Sequence, residues 1–369
     1  MSDILAIPAE ERQRLLIFNL RTDVDDHILG FTTRWINELA TYYQAVDVLT
    51  THAGRLEVAG NVRVYSTGRE KGISRLRRFG NFYLQLGQLL AKNRYDACFA
   101  HMQPMFAVMG APLLRLHGIP ITTWYTHRQM SRVIRWAERV STRITTAVPS
   151  SFPIQSAKVR AIGHGIDMDF FAPDPTTPRH QPPRIVYVAR LTAIKHQMVL
   201  LRAAQDLDCE VVLVGDIPDG FDDSYKQELL RRVEEAGLQD RVVFAGAQTP
   251  QQVRDWYRSA SIAVNLAPPG LFDKAALEAM AVAVPTIVSN PAFLPLIEPY
   301  SALLQISAPD DEDALHDALQ KLLALSLSEQ EVIGAALRKQ VVAQHSLDQL
   351  IQKLINVMHR QDEPETFPE

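Results

Sequence analysis

Short apolar runs alternate with longer amphipathic segments along most of the chain. In the first half, apolar runs begin near positions 15, 46, 62, 97, 120 and 143, and helical patterns occupy about 30–41, 74–92, 104–116 and 128–143. A short apolar run bounded by polar residues is typical of a buried strand, and the longer segments have the spacing of helices that pack by one face. This order predicts a parallel sheet with helices on both faces.

The same alternation returns after position 185. Apolar runs begin near 185, 209, 241, 261 and 285, and helical patterns follow from about His196, at 224–236, after Thr249 and at 274–282. Thr249 can cap its helix, and Pro250 suits the first helical turn. The predicted fold class is therefore α/β, with two doubly wound, Rossmann-like domains that face a cleft. Ligands of such sheets bind beyond the carboxyl ends of the strands.

The segment 172–184, APDPTTPRHQPPR, separates the two halves. It contains five prolines and few apolar residues, without helical or strand periodicity. Such a composition is typical of a linker. The predicted organisation is a first domain over 1–171, a linker over 172–184 and a second domain over 185–344, with a terminal helix over 345–361.

Composition narrows the function classes. The chain has 369 residues, of which 47% are hydrophobic and 22% charged, and its net charge of −4 gives no general attraction to nucleic acid. Cys98 and Cys209 lie in strand-like runs, so we expect buried hydrophobic side chains and no disulfide or zinc site. The N-terminus lacks the pattern of a signal peptide, and no apolar run approaches the roughly 20 residues of a membrane span, so we expect a cytoplasmic protein.

Two cations lie at the turn that follows the strand-like run at 185. Arg190 ends the stretch IVYVAR, and Lys195 follows five residues later, just before a helical pattern. A helix N-terminus with added cations is typical of a phosphate site. The segment contains neither the Walker pattern GxxxxGK nor the dinucleotide pattern GxGxxG. Two solvated surface cations remain the alternative interpretation.

A second motif, PPGLFDKAALEAMAVAVP, covers 268–285 and runs from a tight loop into a helix. Asp273 is placed to cap this helix. Glu278 lies about one and a half turns further along, where a carboxylate can accept both vicinal hydroxyls of a ribose, as acidic residues do in other nucleotide folds. A solvated helix glutamate is the alternative.

The ordered segments VARLTAIKH, VVLVGD, VVFAGA and LFDKAALEAMAVAVP resemble the donor half of a family 4 glycosyltransferase, group 1 type, of the GT-B fold. GHGIDMDFFAPD at 163–174 resembles the segment that leads into the family's linker. HSLDQLIQKLINVMHR at 345–360 resembles the last helix, which the family packs back on the first domain. The resemblance is looser over the N-terminal half.

The resemblance implies roles for individual residues. Arg190 and Lys195 would neutralise the diphosphate of a nucleotide-sugar donor, and Glu278 would hold its ribose. In the first domain, Gly30 in DDHILGF falls where the family has a glycine loop close to donor and acceptor. Two histidines at predicted strand ends, His101 and His127, are candidates for the position near the transferred sugar; for each, a purely structural role is the alternative.

One departure concerns recognition of the donor sugar. The family commonly has a glutamate eight positions before the ribose carboxylate, and here that position is Gly270. Asp273 beside Lys274 can substitute, or the backbone N–H groups of the stretch from Gly270 to Phe272 can serve instead. The identity of the donor base and sugar therefore stays open.

The resemblance also implies transfer with retention of anomeric configuration. Negative charge grows on the departing diphosphate, and placed donors aimed at that charge are usually the largest catalytic contribution. The nearest acidic pair is DVDD at 23–26, in the other domain. We therefore expect the cations to replace a metal, and expect no cofactor besides the nucleotide-diphosphate sugar that serves as donor.

Two basic segments bear on the acceptor. REKGISRLRR at 69–78 is a cationic cluster, and the predicted helix at 128–143 places arginines at steps of three or four, at positions 128, 132, 135, 139 and 143. Such a face attracts anionic lipid headgroups, at about 1 kcal/mol per cation near the surface. One interpretation is therefore that the protein contacts the inner face of the cell membrane and uses a lipid-linked or polysaccharide-precursor acceptor. The alternative is that the arginines form an ordinary solvated face.

Two other functions stay open at this point. A nucleotide-sugar epimerase or hydrolase on a similar scaffold would need paired acid and base carboxylates, and no such pair is obvious. A non-catalytic nucleotide-sugar-binding protein is the other alternative. It stays open because Gly270 stands where the family commonly has a glutamate.

Overall fold

The computed structural model describes residues 13–26, 29–218 and 220–359 of the chain. The chain forms two compact units. The first comprises the residues up to Gly165 together with those from Leu347 onward, and the second runs from Ile166 to Ser346. Among the described residues, no helix is both long enough and apolar enough to cross a bilayer.

The first unit is built on a seven-stranded parallel sheet in the order β3-β2-β1-β4-β5-β6-β7. Leu15 to Phe18 of the first strand are fully buried, as their unbroken apolar run predicts. The strands are β1 (Arg14–Thr22), β2 (Ala45–Ala53), β3 (Val62–Ser66), β4 (Ala97–His101), β5 (Ile121–Trp124), β6 (Arg143–Thr146) and β7 (Val159–Ala161).

Helices cover both faces of this sheet. Phe18, Phe82 and Phe106 form the centre of one core, with ring centroids 4.4–5.9 Å apart. The terminal helix packs against the first helix and against β4, β5 and β6, so it completes this unit after the chain has passed through the other. The helices of the unit are α1 (Thr32–Ala40), α2 (Arg75–Lys92), α3 (Pro104–Leu116), α4 (Arg132–Val140) and α13 (Leu347–His359).

The second unit has a five-stranded parallel sheet in the order β10-β9-β8-β11-β12. Its strands are β8 (Arg184–Val188), β9 (Glu210–Val214), β10 (Val242–Gly246), β11 (Ile262–Asn265) and β12 (Thr286–Val288). Its helices are α5 (Gln197–Ala203), α6 (Ser224–Glu235), α7 (Pro250–Arg258), α8 (Lys274–Ala281), α9 (Leu294–Ile297), α10 (Ser301–Leu304), α11 (Glu312–Ala324) and α12 (Leu327–His345). Thr249 caps α7, as predicted from the sequence, and also forms a reciprocal capping box with Gln252.

Both sheets have the doubly wound, parallel α/β construction that the alternation predicted. The division of the chain differs from the predicted one. The predicted linker 172–184 is irregular up to position 183, and Arg184 already begins β8. The segment lies inside the second unit, where Arg258 donates to the Ala172 carbonyl and Arg179 donates to Gln330. The chain passes from one unit to the other at Gly165 and again at Ser346, where α12 ends and α13 begins.

The arginine-rich helix predicted over 128–143 is shorter in the structure. Ser131 accepts a hydrogen bond from the backbone N–H of Ile134, which starts α4 at Arg132, and Val140 ends it. Arg143 belongs to β6, where it pairs with Thr122. The prediction of five arginines on one helical face was therefore wrong at both ends, and α4 carries Arg132, Arg135 and Arg139.

Candidate functional site

The turn after β8 is held against the end of β9. The N–H of Ala189 donates to Val214, and the N–H of Leu191 donates to the carbonyl of Asp216. Gly215 makes this approach possible, since its φ is +137° and a β-carbon there would lie 2.0 Å from the Ala189 carbonyl oxygen. Gly215 was not among the predicted site residues, although a glycine directly after the strand in VVLVGD was a usable signal.

Arg190 and Lys195 have different environments. Arg190 is exposed. Lys195 ends a short 3-10 turn, Ala193–Lys195, and is 6% exposed. The Tyr187 hydroxyl donates to the Lys195 carbonyl over 2.5 Å, which fixes the turn to the buried strand below it.

The Lys195 ammonium pairs with the carboxylate of Asp273. Asn265, the last residue of β11, donates to the same carboxylate oxygen over 3.3 Å. The contact joins the two sequence motifs across 78 positions. Asp273 stands at the N-cap position of α8, but its side chain makes no capping hydrogen bond, so the prediction of a cap was wrong. The carboxylate is instead paired with the Lys195 ammonium, the group predicted to bind a phosphate.

The loop before α8 is a tight turn. Gly270 has φ +89°, and the N–H of Leu271 donates to Pro268 over 3.1 Å. Proline at the second position and positive φ at the third are the requirements of a type II turn, so glycine is the favoured residue here. Asn290 is fully buried and donates to the carbonyls of Pro268 and Leu271, and this bracing role was not predicted from the sequence.

Phe272 is an anchor of this loop. It is 6% exposed, stacks on Phe293 with centroids 4.4 Å apart and contacts His345 at 5.5 Å. Its side chain thus packs inward and leaves the backbone of the loop as the part that can meet a donor.

Glu278 lies one turn into α8 and is 5% exposed. Lys274, four residues earlier on the same helix, pairs with its Oε1. The Tyr257 hydroxyl donates to the Ala275 carbonyl over 2.9 Å, which secures the first turn of this helix. A buried carboxylate on this turn has the acceptor capacity that a ribose diol requires.

In the first unit, His101 ends β4 and is 2% exposed. Its ring lies between aromatic side chains, with centroids 5.0 Å from Trp35, 5.8 Å from Phe31 and 6.5 Å from a nearly parallel Trp124. Burial lowers the pKa of His101 to about 3. The imidazole is therefore neutral at physiological pH.

Asn19, the register partner of His101 on β1, determines the tautomer of this histidine. Its Nδ2 donates to the Arg21 carbonyl over 2.7 Å and to the Thr22 hydroxyl over 2.9 Å, which identifies the other terminal atom as the oxygen. That oxygen lies 3.3 Å from His101 Nδ1, so Nδ1 carries the proton. Nε2 is then an acceptor, and within the described residues it has no hydrogen-bond partner.

Gly30 directly precedes Phe31, whose ring lies beside His101, and His127 lies in the segment after β5. Gly30 is buried in the turn before α1, and its N–H donates to the Asp26 carbonyl over 2.8 Å. His127 is exposed, with its ring centroid 5.5 Å from that of Tyr125 in the irregular segment after β5. His101 is thus enclosed and His127 is on the surface. In the part of the chain that is described, no cluster of three or more His, Cys, Asp or Glu side chains is arranged to hold a metal.

Known proteins match the second unit in sequence. Residues 182–325 match the model of the Glycosyl transferases group 1 family. Over 151 residues the chain is 28% identical to D-inositol 3-phosphate glycosyltransferase of Mycolicibacterium smegmatis, an alignment that covers 38% of this chain and 34% of the relative. The chain thus spans about a third of that relative's length.

Solved structures match both units. Sucrose-phosphate synthase from Thermosynechococcus elongatus has a TM-score of 0.75 at 19% identity, with 94% of this chain and 98% of that chain covered. Anabaena HepE in complex with UDP and glucose has a TM-score of 0.71 at 15% identity, with 93% and 98% covered. Residues 182–325 therefore resemble the Glycosyl transferases group 1 family, and the chain as a whole shares the α/β fold of these solved structures, with two parallel sheets.

Proposed function

We propose that this protein transfers a sugar from a nucleotide-diphosphate sugar to an acceptor. The observation that carries the proposal is the buried Lys195 ammonium paired with Asp273, since it joins the strand-end motif at 190–195 to the loop and helix at 268–278. Both motifs lie within the matched family segment. The bound UDP and glucose of Anabaena HepE support a uridine nucleotide as the first donor to test.

The diphosphate would exchange partners with Asp273. Lys195 is held by one carboxylate, and a diphosphate offers more charge and more acceptor oxygens than that carboxylate does. The exposed Arg190 can approach the same phosphates, and the first N–H groups of α8 add a positive potential. These groups stabilise the charge that grows on the leaving diphosphate. In this proposal they take the place of a metal ion.

The ribose would bind at Glu278. The ion pair with Lys274 holds the carboxylate in place, so binding of the diol would cost little additional side-chain entropy. Gly270 leaves the loop without the carboxylate that the family commonly carries there. Recognition of the sugar hydroxyls then depends on Asp273, once it is released by Lys195, and on the loop N–H groups near Gly270 and Phe272.

His101 would serve as a hydrogen-bond acceptor for a sugar hydroxyl. With a pKa near 3 it is unsuited to general acid–base work at neutral pH, where an effective catalyst has a pKa near the operating pH. The departing phosphate oxygen is then the group that takes the acceptor's proton. That arrangement puts departure and attack on the same face of the sugar, and configuration is retained.

A lipid-linked acceptor is the part of the proposal that the surface supports. On α2, Leu76, Phe79 and Leu84 are 81%, 50% and 61% exposed, next to the exposed cations Arg75 and Arg77. Apolar side chains interleaved with cations are typical of helices that lie on an anionic membrane. We expect the protein to sediment with vesicles that contain an anionic lipid and to lose this binding in a Leu76→Ser, Phe79→Ser variant. Unchanged sedimentation of that variant would contradict a membrane contact at α2.

A thermal-shift titration tests the donor site. UDP-glucose and other nucleotide sugars at about 100 times their dissociation constant should add about 2.7 kcal/mol to the free energy of unfolding. Lys195→Ala and Arg190→Ala should remove most of this response, and Lys321→Ala, an exposed lysine on α11, should leave it intact. A full response in the Lys195→Ala, Arg190→Ala double variant would place the donor elsewhere.

Product analysis separates transfer from its alternatives. Sugar moved from labelled donor to an added acceptor supports a transferase. Release of free sugar without acceptor dependence would indicate a hydrolase. Binding without turnover over a broad acceptor panel would indicate a non-catalytic protein.

A further inference from the structure

A polar pocket opens at the amino ends of the strands in the first unit. Its volume is about 350 Å³, and its lining includes Arg14, Asp47, Gly60, Asn61, Arg63 and Asn93. Arg14 begins β1 and Asn19 lies five residues along the same strand, so about 16 Å of strand separates the pocket from the residues around His101. We refer to it as the amino-edge pocket.

A buried carboxylate forms part of its wall. Asp47 is 3% exposed and is the register partner of Arg63 on the neighbouring strand. The Tyr95 hydroxyl donates to Asp47 Oδ2 over 2.6 Å, and burial raises the pKa of Tyr95, so this donor keeps its proton. Tyr65 lies beside the same carboxylate. A carboxylate has about four acceptor positions, so two tyrosines leave capacity for a ligand.

The neighbouring polar groups are oriented by a directional chain of hydrogen bonds. Arg14 donates to Asn93 Oδ1 over 2.8 Å, and Asn93 Nδ2 donates to the Tyr95 hydroxyl over 3.2 Å. Asn61 Nδ2 donates to the carbonyls of Ala40 and Tyr43, which leaves its Oδ1 as an acceptor at the pocket. The wall is thus built from fixed donors and acceptors.

The lining combines two guanidiniums with one carboxylate, an excess of one positive charge. Fixed acceptors at Asp47 and Asn61 suit hydroxyl groups, and the guanidinium of Arg63 suits an anion. The volume is at the lower end of the range of roughly 300–1,000 Å³ for small-molecule sites. We propose that the amino-edge pocket binds a carbohydrate of about one sugar ring that carries a single anionic group, such as a phosphate or a carboxylate.

Titration calorimetry of the full chain tests the ligand class, with glucose 6-phosphate, glucuronate, glucose and inorganic phosphate as probes. Glucose 6-phosphate or glucuronate should bind at least about tenfold more tightly than both glucose and inorganic phosphate. Arg63→Gln should reduce this preference for the charged sugar. No binding of any probe at about 10 mM, or equal binding of inorganic phosphate and the charged sugars, would overturn the proposal.

Gly60 offers a way to fill the pocket. A β-carbon there would meet no heavy atom within 4 Å, and its backbone lies outside the positive-φ region, so Gly60→Leu should fold normally. We expect this variant to weaken binding of the charged sugar at least about tenfold. Gly87→Leu, at an equally open position on α2, is the matched control and should bind as the parent does.

Two results keep this site distinct from the donor site. The thermal response to UDP-glucose should be unchanged in Gly60→Leu, and binding of the charged sugar should be unchanged in Lys195→Ala. Loss of sugar-phosphate binding in Lys195→Ala together with full binding in Gly60→Leu would assign that binding to the donor site and refute the pocket proposal.

Discussion

At the scale of residues, the charged side chains of the candidate donor site are paired with one another. Lys195 is paired with Asp273, and Glu278 is paired with Lys274. A buried lysine without a partner is costly, so the pairing with Asp273 allows the ammonium to be buried at all. Under the proposed function, binding of a diphosphate would exchange one anion for another at Lys195, and its free energy would be the difference between two ion pairs.

Replacing Asp273 tests this exchange. Asp273→Asn should lower the free energy of unfolding by roughly 1–3 kcal/mol, somewhat less than for a fully buried pair because the carboxylate is partly exposed. The same variant should show a larger thermal response to UDP, since the ammonium is no longer neutralised. Asp240→Asn, at an exposed position, is the control. A response to UDP that disappears in Asp273→Asn would mean that Asp273 orients Lys195 for the ligand.

His101 predicts a specific acid sensitivity. Its pKa is about 3 when folded and about 6.5 in an unfolded chain, so the unfolded state binds more protons between these values. The stability contributed by the neutral ring is fully present above pH 6.5 and is lost as the pH falls toward 3. His101→Phe should therefore reduce the fall in unfolding free energy between pH 6.5 and 4.5, by up to about 1.4 kcal/mol per pH unit.

Urea unfolding at several pH values measures this slope. His117→Gln, at an exposed position, is the control and should leave the slope nearly unchanged. A slope in His101→Phe equal to that of the parent would show that His101 ionises in the folded protein.

At the scale of elements, helix α12 lies close against the turn that ends α8. A β-carbon at Gly334 would be 1.9 Å from the Ala283 carbonyl oxygen, and Ala283 itself has φ +63°. The atoms in contact belong to the backbone, so a flexible side chain cannot move aside to make room for a β-carbon at Gly334. Glycine at 334 thus sets the distance between the helix that carries Glu278 and the helix behind it.

Gly334→Ala should destabilise the protein by about 3 kcal/mol, the upper part of the usual range for overpacking. Gly87→Ala is a matched helical control in open space and should stabilise by roughly 0.5–1 kcal/mol, because alanine is the better helix former. Chemical denaturation of the two variants measures the difference. Equal stabilities would show that α12 shifts without cost.

At the scale of the whole molecule, the two units differ in how the chain forms them. The second unit is one continuous segment from Ile166 to Ser346, whereas the first needs α13 from the end of the chain. Leu350, Ile351 and Leu354 of that helix are buried. The first unit therefore has an apolar face that only a distant part of the sequence covers.

A fragment of residues 166–346 should fold alone and retain a thermal response to nucleotide sugars, because Lys195, Asp273 and Glu278 all lie within it. A fragment that ends at Gly165 should aggregate, and a linked version that adds residues 347–359 should be soluble. Circular dichroism and size-exclusion chromatography distinguish these outcomes. An unfolded 166–346 fragment would contradict its independence as a unit.

The sequence alone determined the elements and their class. The apolar runs and amphipathic segments predicted most strands and helices of both sheets, since hydrophobic periodicity depends on near neighbours along the chain. The ordered motifs from Arg190 to Glu278 indicated the family, which the comparison confirmed over 182–325. The first and last residues of the elements were predicted less accurately. At α4, for example, the capping serine delays the start of the helix and Arg143 belongs to a strand, so the helix is shorter than predicted.

Only the tertiary structure decided which side chains meet. Lys195 reaches Asp273 across 78 positions, and Asn19 reaches His101 across 82, because neighbouring parallel strands bring their carboxyl ends to one edge. The tautomer and low pKa of His101, the bracing by Asn290, and the amino-edge pocket all depend on such long-range contacts. No local pattern encodes them, since burial and hydrogen-bond partners are properties of the packed chain.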